Sequence, residues 1–284
     1  MTKPVLLESV AALRLWREAQ RKAGHRVGLV PTMGALHAGH LSLVTKVREK
    51  TERSVVSIFV NPTQFAPTED FSKYPRTFDR DVQLLSEVGA DAVFAPQVAE
   101  MYPEGFATTV TLDGPAKVGL EDAFRPTHFS GVATVVAKLL LQSLPDAAIF
   151  GEKDYQQLAV IRRMARDLDI PVEILGGATI REGDGLAMSS RNVYLTPEER
   201  AIAPIIHRTL QAAAVVALRR QPLDRIEIEA ANALSAAGFA VDYLAIRDAA
   251  SLAIPAAGAD PASLRILVAA KLGKTRLIDN IAVR

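Results

Sequence analysis

Two histidines three residues apart carry the clearest chemistry in this chain, in the run Pro31-Thr32-Met33-Gly34-Ala35-Leu36-His37-Ala38-Gly39-His40. The apolar stretch Val27-Gly28-Leu29-Val30 precedes them and reads as a buried strand. Leu41-Ser42-Leu43-Val44 follows and reads as the first turns of a helix. The histidines therefore fall where a strand hands over to a helix N-terminus. There the first amides lack intrahelical partners and the helix dipole favours anions. Imidazoles at i and i+3 share one helical face. Gly39 has no Cβ, so a flat purine could approach the backbone. The chemistry implied is nucleotide phosphate binding. The plainer reading is a polar turn with two solvated histidines, and the strand-to-helix setting counts against it.

Three more clusters sit at comparable places. Phe59-Val60-Asn61-Pro62-Thr63-Gln64-Phe65 follows a strand-like run, and Asn61 and Gln64 are neutral groups suited to hydroxyls and carboxylates. Asn-Pro also starts ordinary turns. Gly151-Glu152-Lys153-Asp154-Tyr155-Gln156-Gln157 again leads from strand to helix. Lys153 would set a cation against a phosphate. Asp154 would cap the helix or hold a metal through water. The alternative is a capped helix with a solvated lysine. The third cluster, from Arg181 to Asn192, is rich in glycine and hydroxyls and contains Met188-Ser189-Ser190-Arg191. It reads as a loop that closes over phosphates, with Ser189, Ser190 and Arg191 donating, or as an ordinary linker. Arg125 and His128 would bind an anionic substrate or simply start a helix at the surface. His25 and His207 read as structural. No Walker-type lysine loop and no Gly-x-Gly-x-x-Gly run is present. The convergent set suits attack on the α-phosphate of ATP with pyrophosphate leaving, where catalysis is mostly positioning and electrostatics.

Alternating elements must hold these clusters. Strands are expected at Val27–Val30, Ser54–Val60, Asp91–Ala95, Ala147–Phe150 and Val172–Leu175, with helices at Asp81–Gly89, Gly131–Leu144 and Asp154–Leu168. That alternation predicts an α/β fold, a Rossmann-like doubly wound parallel sheet with ligands beyond the strand C-termini. Gly176-Gly177 marks a boundary between a Rossmann-like nucleotide-binding domain at 1–177 and a smaller C-terminal α+β domain at 178–284 that closes over the site. In the second part, Thr196-Pro197-Glu198-Glu199 is a strong helix start, and one helix is expected to run to about Arg220. A second helix covers Leu223–Ala237, and strands follow at Phe239–Ile246, Arg265–Ala270 and Thr275–Val283, the last two joined as a hairpin. The run Pro255–Pro261 reads as a loop.

Composition narrows the class. The 284 residues are 49% hydrophobic and 23% charged, as in an ordinary globular protein. The net charge of +1 argues against nucleic-acid and membrane partners. With no cysteine, disulfides, thiolate metal sites and thiol nucleophiles are excluded. The run Met1–Glu8 lacks a signal-peptide apolar core, and no uncharged stretch of membrane-spanning length is expected, so a cytoplasmic location is the default.

Met33 to His40, Phe59 to Phe65, Phe150 to Gln157 and Met188 to Asn192, in this order, resemble the pantothenate synthetase (pantoate–β-alanine ligase) family. Leu267-Val268-Ala269-Ala270 and Arg276-Leu277-Ile278-Asp279-Asn280-Ile281 are similar to it too. The resemblance covers nearly the whole chain. It implies a cytidylyltransferase-like nucleotide-binding fold, ATP and Mg2+, and a two-step ligation of pantoate and β-alanine through pantoyl adenylate. The domain at 1–177 would then bind pantoate as well as the nucleotide. The resemblance implies that Met33, Gly34, Ala35, Leu36, His37, Ala38, Gly39, His40, Gly151, Glu152, Lys153, Asp154, Ile180, Met188, Ser189, Ser190 and Arg191 form the ATP site. His40 would be the proton donor, with His37, Lys153, Ser189, Ser190 and Arg191 also catalytic. Gln64, Gln157 and Asn61 would hold pantoate, Gln64 would also face β-alanine, and Asp154 is the metal candidate. Arg80, between Asp79 and Asp81, interrupts an acidic patch of some relatives, which argues against a metal there. A homodimer is implied as well. The alternatives are a nucleotidylyltransferase acting on a phosphate acceptor and a regulatory nucleotide-binding module. An aminoacyl-tRNA synthetase, whose signature pair these motifs resemble, is disfavoured by the near-zero charge and the lack of an anticodon-binding region.

Overall fold

The computed structural model describes residues 3–66 and 69–284; Met1, Thr2, Pro67 and Thr68 lie outside the described residues. Six strands form one parallel sheet: β1 (Val5–Leu7), β2 (Val27–Thr32), β3 (Arg53–Ile58), β4 (Ala92–Phe94), β5 (Ala147–Gly151) and β6 (Glu173–Gly177). Their order is β1-β4-β3-β2-β5-β6. Side chains alternate across it, as strand geometry requires. Leu29, Val55, Phe94 and Phe150 enter one buried cluster, and Val30, Val56, Val93 and Ile149 enter the other. Helices α1 (Val10–Lys22), α6 (His128–Ser143) and α7 (Tyr155–Asp167) cover the first face. Helices α2 (Ala38–Arg48) and α3 (Phe78–Glu87) cover the second. Short helices α4 (Val98–Met101) and α5 (Glu121–Phe124) lie between α3 and α6 in the chain. The doubly wound sheet predicted from the alternation is present. The chain winds to one side of β2 through β3 and β4, then crosses to β5 on the other, so the switch point lies between β2 and β5.

The remaining chain forms α8 (Pro197–Ile202), α9 (Ile205–Leu218) and α10 (Leu223–Ala236), followed by β7 (Ala240–Asp248), β8 (Leu264–Leu272) and β9 (Thr275–Ala282). The three strands make an antiparallel sheet. The helices pack on the face bearing Ile246, Ile266 and Val268. The opposite face, with Ala245 and Leu267, meets Leu120 and Tyr155 from the layer of the large sheet. One expectation changes. The single helix to Arg220 is broken at Pro204, whose fixed φ and missing N–H end one helix and start the next. The 22-residue run Pro197–Leu218 is long and apolar enough by composition to cross a membrane, although it carries Glu198, Glu199, Arg200 and Arg208. Here its apolar side, including Ile206, Leu210 and Ala214, packs against the small sheet.

Candidate active site

The C-terminal ends of β2 and β5 open onto a cavity of about 220 Å3. Met33, His37, Gly39, His40, Asn61, Gln64, Gly151, Lys153, Asp154, Gln157, Ile180, Met188, Ser189, Ser190 and Arg191 line it. Residues expected from separate stretches of the sequence are thus brought together around one space. A larger cavity of about 730 Å3 adjoins it between the two sheets and shares Lys153, Asp154, Gln157, Ser189 and Arg191.

His37 is the N-cap of α2, and its Nδ1 accepts from the Gly39 amide at 3.2 Å. The acceptor role at Nδ1 leaves the proton on Nε2. The His40 ring stacks beside it, with centroids 4.1 Å apart. Burial, and after it the nearby Lys153 ammonium, holds His37 down to about 4. Burial, then His37 and Lys153, holds His40 down to about 3. Both rings are therefore neutral N–H donors at pH 7. The Nδ1 of His40 is buried and has no hydrogen-bond partner among the described residues.

Several expectations need correction. Gly39 lines the cavity, but the His37 ring fills the space a Cβ would take, 2.9 Å away, so the glycine serves the ring of the capping histidine as well. Gly34, Ala35, Leu36 and Ala38 do not line the cavity. Leu36 is buried in the core beneath α2. The amides of Ala35 and Leu36 are each taken, at 2.9 Å, by the carboxylate of Asp81. Thr77 donates to the same carboxylate at 3.0 Å. Asp81 is buried on α3 and fixes the loop that delivers His37. In the sequence it stands only in an acidic patch; it lies 45 residues from its partner Leu36, so no local pattern marks it. Glu152 turns away from the cavity and meets Arg265 at 3.2 Å.

Asn61 is buried, and its amide donates to Gln64 Oε1 at 3.1 Å and to the Gly131 carbonyl at 3.2 Å. A Cβ on Gly131 would stand 2.3 Å from the Thr63 carbonyl oxygen, so only glycine lets α6 approach this turn. Gln64 Nε2 lies 3.0 Å from the Met33 sulfur. Arg125 and His128 are not free for an anionic substrate. Arg125 pairs with Glu69 at 2.6 and 2.9 Å, and both residues contact the Gln64 carbonyl. Burial and the Arg125 charge hold His128 down to about 4. The two side chains fix the Gln64 turn from behind.

The Met188–Arg191 segment is held from both sides. The Ser189 hydroxyl accepts from the Arg191 amide, and Ser190 shares a hydrogen bond with Tyr74 at 3.2 Å. Arg191 pairs with Asp70 through Nε and Nη2 at 3.0 and 2.9 Å. Its Nη1 takes no part in that pair. Among the described residues no group of three or more His, Asp or Glu is placed to hold a metal. Asp154 is a half-exposed carboxylate, 3.9 Å from the Lys153 ammonium. One such carboxylate suits Mg2+ that is bound mainly by phosphate oxygens and water. His25 bonds Gln20 at 3.3 Å, and His207 lies 3.9 Å from Asp279, both away from the cavity.

The fold and the cavity define a class: a doubly wound nucleotide-binding protein with a His-x-Gly-His pair and a lysine facing each other across the sheet's switch point. The family model of pantoate-beta-alanine ligase matches residues 5–282. A pantothenate synthetase of Paramagnetospirillum magneticum is 61% identical over 98% of this chain and 97% of its own. The crystal structure of pantothenate synthetase from Thermus thermophilus superposes with a TM-score of 0.91 at 49% identity, covering 98% of this chain and 99% of that one. The pantoate-beta-alanine ligase of Francisella tularensis, solved in complex with beta-gamma ATP and beta-alanine, matches with a TM-score of 0.83 at 33% identity, over 99% and 98% of the two chains. The chain belongs to the pantoate-beta-alanine ligase family. It is a ligase of pantothenate biosynthesis and uses ATP.

Proposed function

We propose that the ligation of pantoate and β-alanine runs through pantoyl adenylate in the cavity at the switch point, with the residues that line it in the following roles. The observation that carries this reading is the convergence of His37, His40 and Lys153 with Gln64 and Gln157 on one cavity. A pantoate carboxylate oxygen attacks the α-phosphorus of ATP, a new P–O bond forms, and pyrophosphate leaves. Negative charge builds on the phosphate oxygens. His37 and His40 donate to them as neutral N–H groups, and Lys153 supplies the positive charge. Ser189, Ser190 and Arg191 cover the departing phosphates. Gln64, Gln157 and Asn61 orient pantoate, with Gln64 turned also toward the β-alanine amine. That amine, freed of its proton, attacks the acyl carbon, and AMP leaves with the bond electrons. The backbone at Gly151 and Ile180 flanks the nucleoside, as do Met33, Gly39 and Met188. Asp154 would hold a Mg2+ ion accompanying ATP, directly or through water, and such an ion would supply charge neutralisation on the phosphates.

The alternative, nucleotidyl transfer to a phosphate acceptor, needs free arginines. Of the two arginines of this cavity, Arg125 is committed to Glu69 and Arg191 is held by Asp70 with only Nη1 outside the pair, which serves the phosphates of ATP and leaves no guanidinium for a phosphate acceptor. Pantoate labelled with heavy oxygen in its carboxylate tests the reading: one labelled oxygen must appear in AMP. AMP free of label would exclude the acyl adenylate. We take the enzyme to act in the cytoplasm as a homodimer whose partners are its small-molecule substrates, without nucleic acid or membrane. The net charge of +1 supports the absence of polyanionic partners, and light scattering on the purified protein tests the dimer.

A further inference from the structure

Lys153 stands on the turn that follows β5, yet much of what holds that turn comes from the other sheet. Asn280, on β9, is buried. Its carboxamide nitrogen donates to the carbonyl of Glu152 at 2.9 Å and to the carbonyl of Lys153 at 2.8 Å. Its Oδ1 accepts from Arg265 Nε at 2.6 Å. Arg265, on β8, also reaches the Glu152 carboxylate at 3.2 Å and stacks 3.7 Å above the Tyr155 ring. The Tyr155 hydroxyl donates to the Ala249 carbonyl at 2.8 Å. Each hydrogen-bonding atom of the Asn280 side chain is therefore used, and both donors go to consecutive carbonyls around the lysine. A carboxamide is the group this geometry requires, because an aspartate in the same place offers only acceptors to two acceptors.

We propose that Asn280 is a positioning residue for the ligation: it sets the backbone of Lys153 from the C-terminal sheet, so the ammonium meets the phosphates only while that sheet is docked. This rests on Lys153 acting in adenylate formation. Asn280 borders the larger cavity between the sheets but not the smaller one, where the phosphates are placed, so its effect must pass through the lysine. The consequence is energetic coupling between residues on two different sheets.

The test is a double-mutant cycle on the full-length enzyme, read as pantoate-dependent pyrophosphate release. Asn280→Ala is expected to lower kcat about 10- to 100-fold, the scale of an ångström-sized misplacement, with KM for ATP changed less than about 3-fold. Lys153→Met alone tests the role of the lysine. In the Lys153→Met background, Asn280→Ala is expected to cost less than about 3-fold more, because the group it positions is gone. Additive losses would overturn the proposal while leaving the role of Lys153 standing. An unchanged Lys153→Met enzyme would instead remove the role of the lysine. Asn280→Asp keeps the shape and the Arg265 contact and is expected to match Asn280→Ala. If alanine prevents folding, the aspartate variant carries the same comparison; loss of the fold in both would mark Asn280 as structural and end the proposal.

Discussion

Replacing Asp81 by Asn should disable a site that Asp81 never touches. The carboxylate takes the Ala35 and Leu36 amides at 2.9 Å each and the Thr77 hydroxyl at 3.0 Å. An asparagine has one oxygen, so in either orientation its amide nitrogen faces an N–H that it cannot accept. The loss of one charge-assisted bond, with a buried amide left unpaired, costs about 2–4 kcal/mol. At roughly 2–3 °C per kcal/mol for a chain of this size, melting should fall by about 5–10 °C. The loop it releases leads straight into His37, so His37 and His40 lose their fixed distance to the phosphates. A shift of about 1 Å there should lower kcat/KM for ATP about 100-fold. Asp79→Asn, at an exposed position of the same helix, is the control and should change neither quantity. Thermal melts and initial rates at varied ATP decide the matter. A folded Asp81→Asn enzyme that melts with the parent and keeps its kcat/KM would refute the reasoning.

Three further outcomes follow from the geometry. His40→Gln should shift the melting temperature by no more than about 2–4 °C, since the buried Nδ1 has no hydrogen-bond partner among the described residues and only the ring contact with His37 is lost, and should lower kcat about 100- to 1,000-fold in steady-state assays. Gly39→Ala puts a methyl group 2.9 Å from the His37 ring; the ring must swing off its cap, costing about 1–3 kcal/mol by thermal or urea melts and most of the activity. Stability should also fall with acid. Burial lowers His37 and His128 to about 4 and His40 to about 3, below the ordinary imidazole value of about 6.5. Above that value the three rings are neutral in both states and the stability is fully present. Below it the unfolded chain binds protons that the fold resists, so each ring costs about 1.4 kcal/mol per pH unit until its folded value is reached. Urea unfolding between about pH 7 and pH 4.5 should show this slope, and His128→Gln should reduce it by about a third; a flat profile would contradict the buried neutral histidines.

The large sheet and its ligand-facing turns were legible because their signals are local. Val27–Val30 and Ser54–Val60 are β-branched apolar runs, and the residues that follow them must lie at strand C-termini. Lys153 and the Asn61 turn were found by the same logic. The errors came where sequence order and spatial direction part. Leu36 lies between Met33 and His37 in the chain but points into the core. Glu152, next to Lys153, faces Arg265. The supporting residues Asp81, Arg125, His128 and Asn280 act across 45 to 128 residues of sequence, and nothing in their own neighbourhoods indicates the partner. Strand β1 is three residues long with two of them exposed, too short for a periodic signal. The break between Ile202 and Ile205 does have a local signal in Pro204, which the expectation of one helix to Arg220 passes over.

One cavity is proposed to make an acyl adenylate from pantoate and ATP before β-alanine is used. The most direct test is pyrophosphate release from ATP and Mg2+ with pantoate present, β-alanine first withheld and then added. The expected result is pantoate-dependent release without the amine, followed by AMP and pantothenate only when β-alanine arrives. Release that ignores pantoate, or that requires β-alanine from the start in well-folded enzyme, would contradict it.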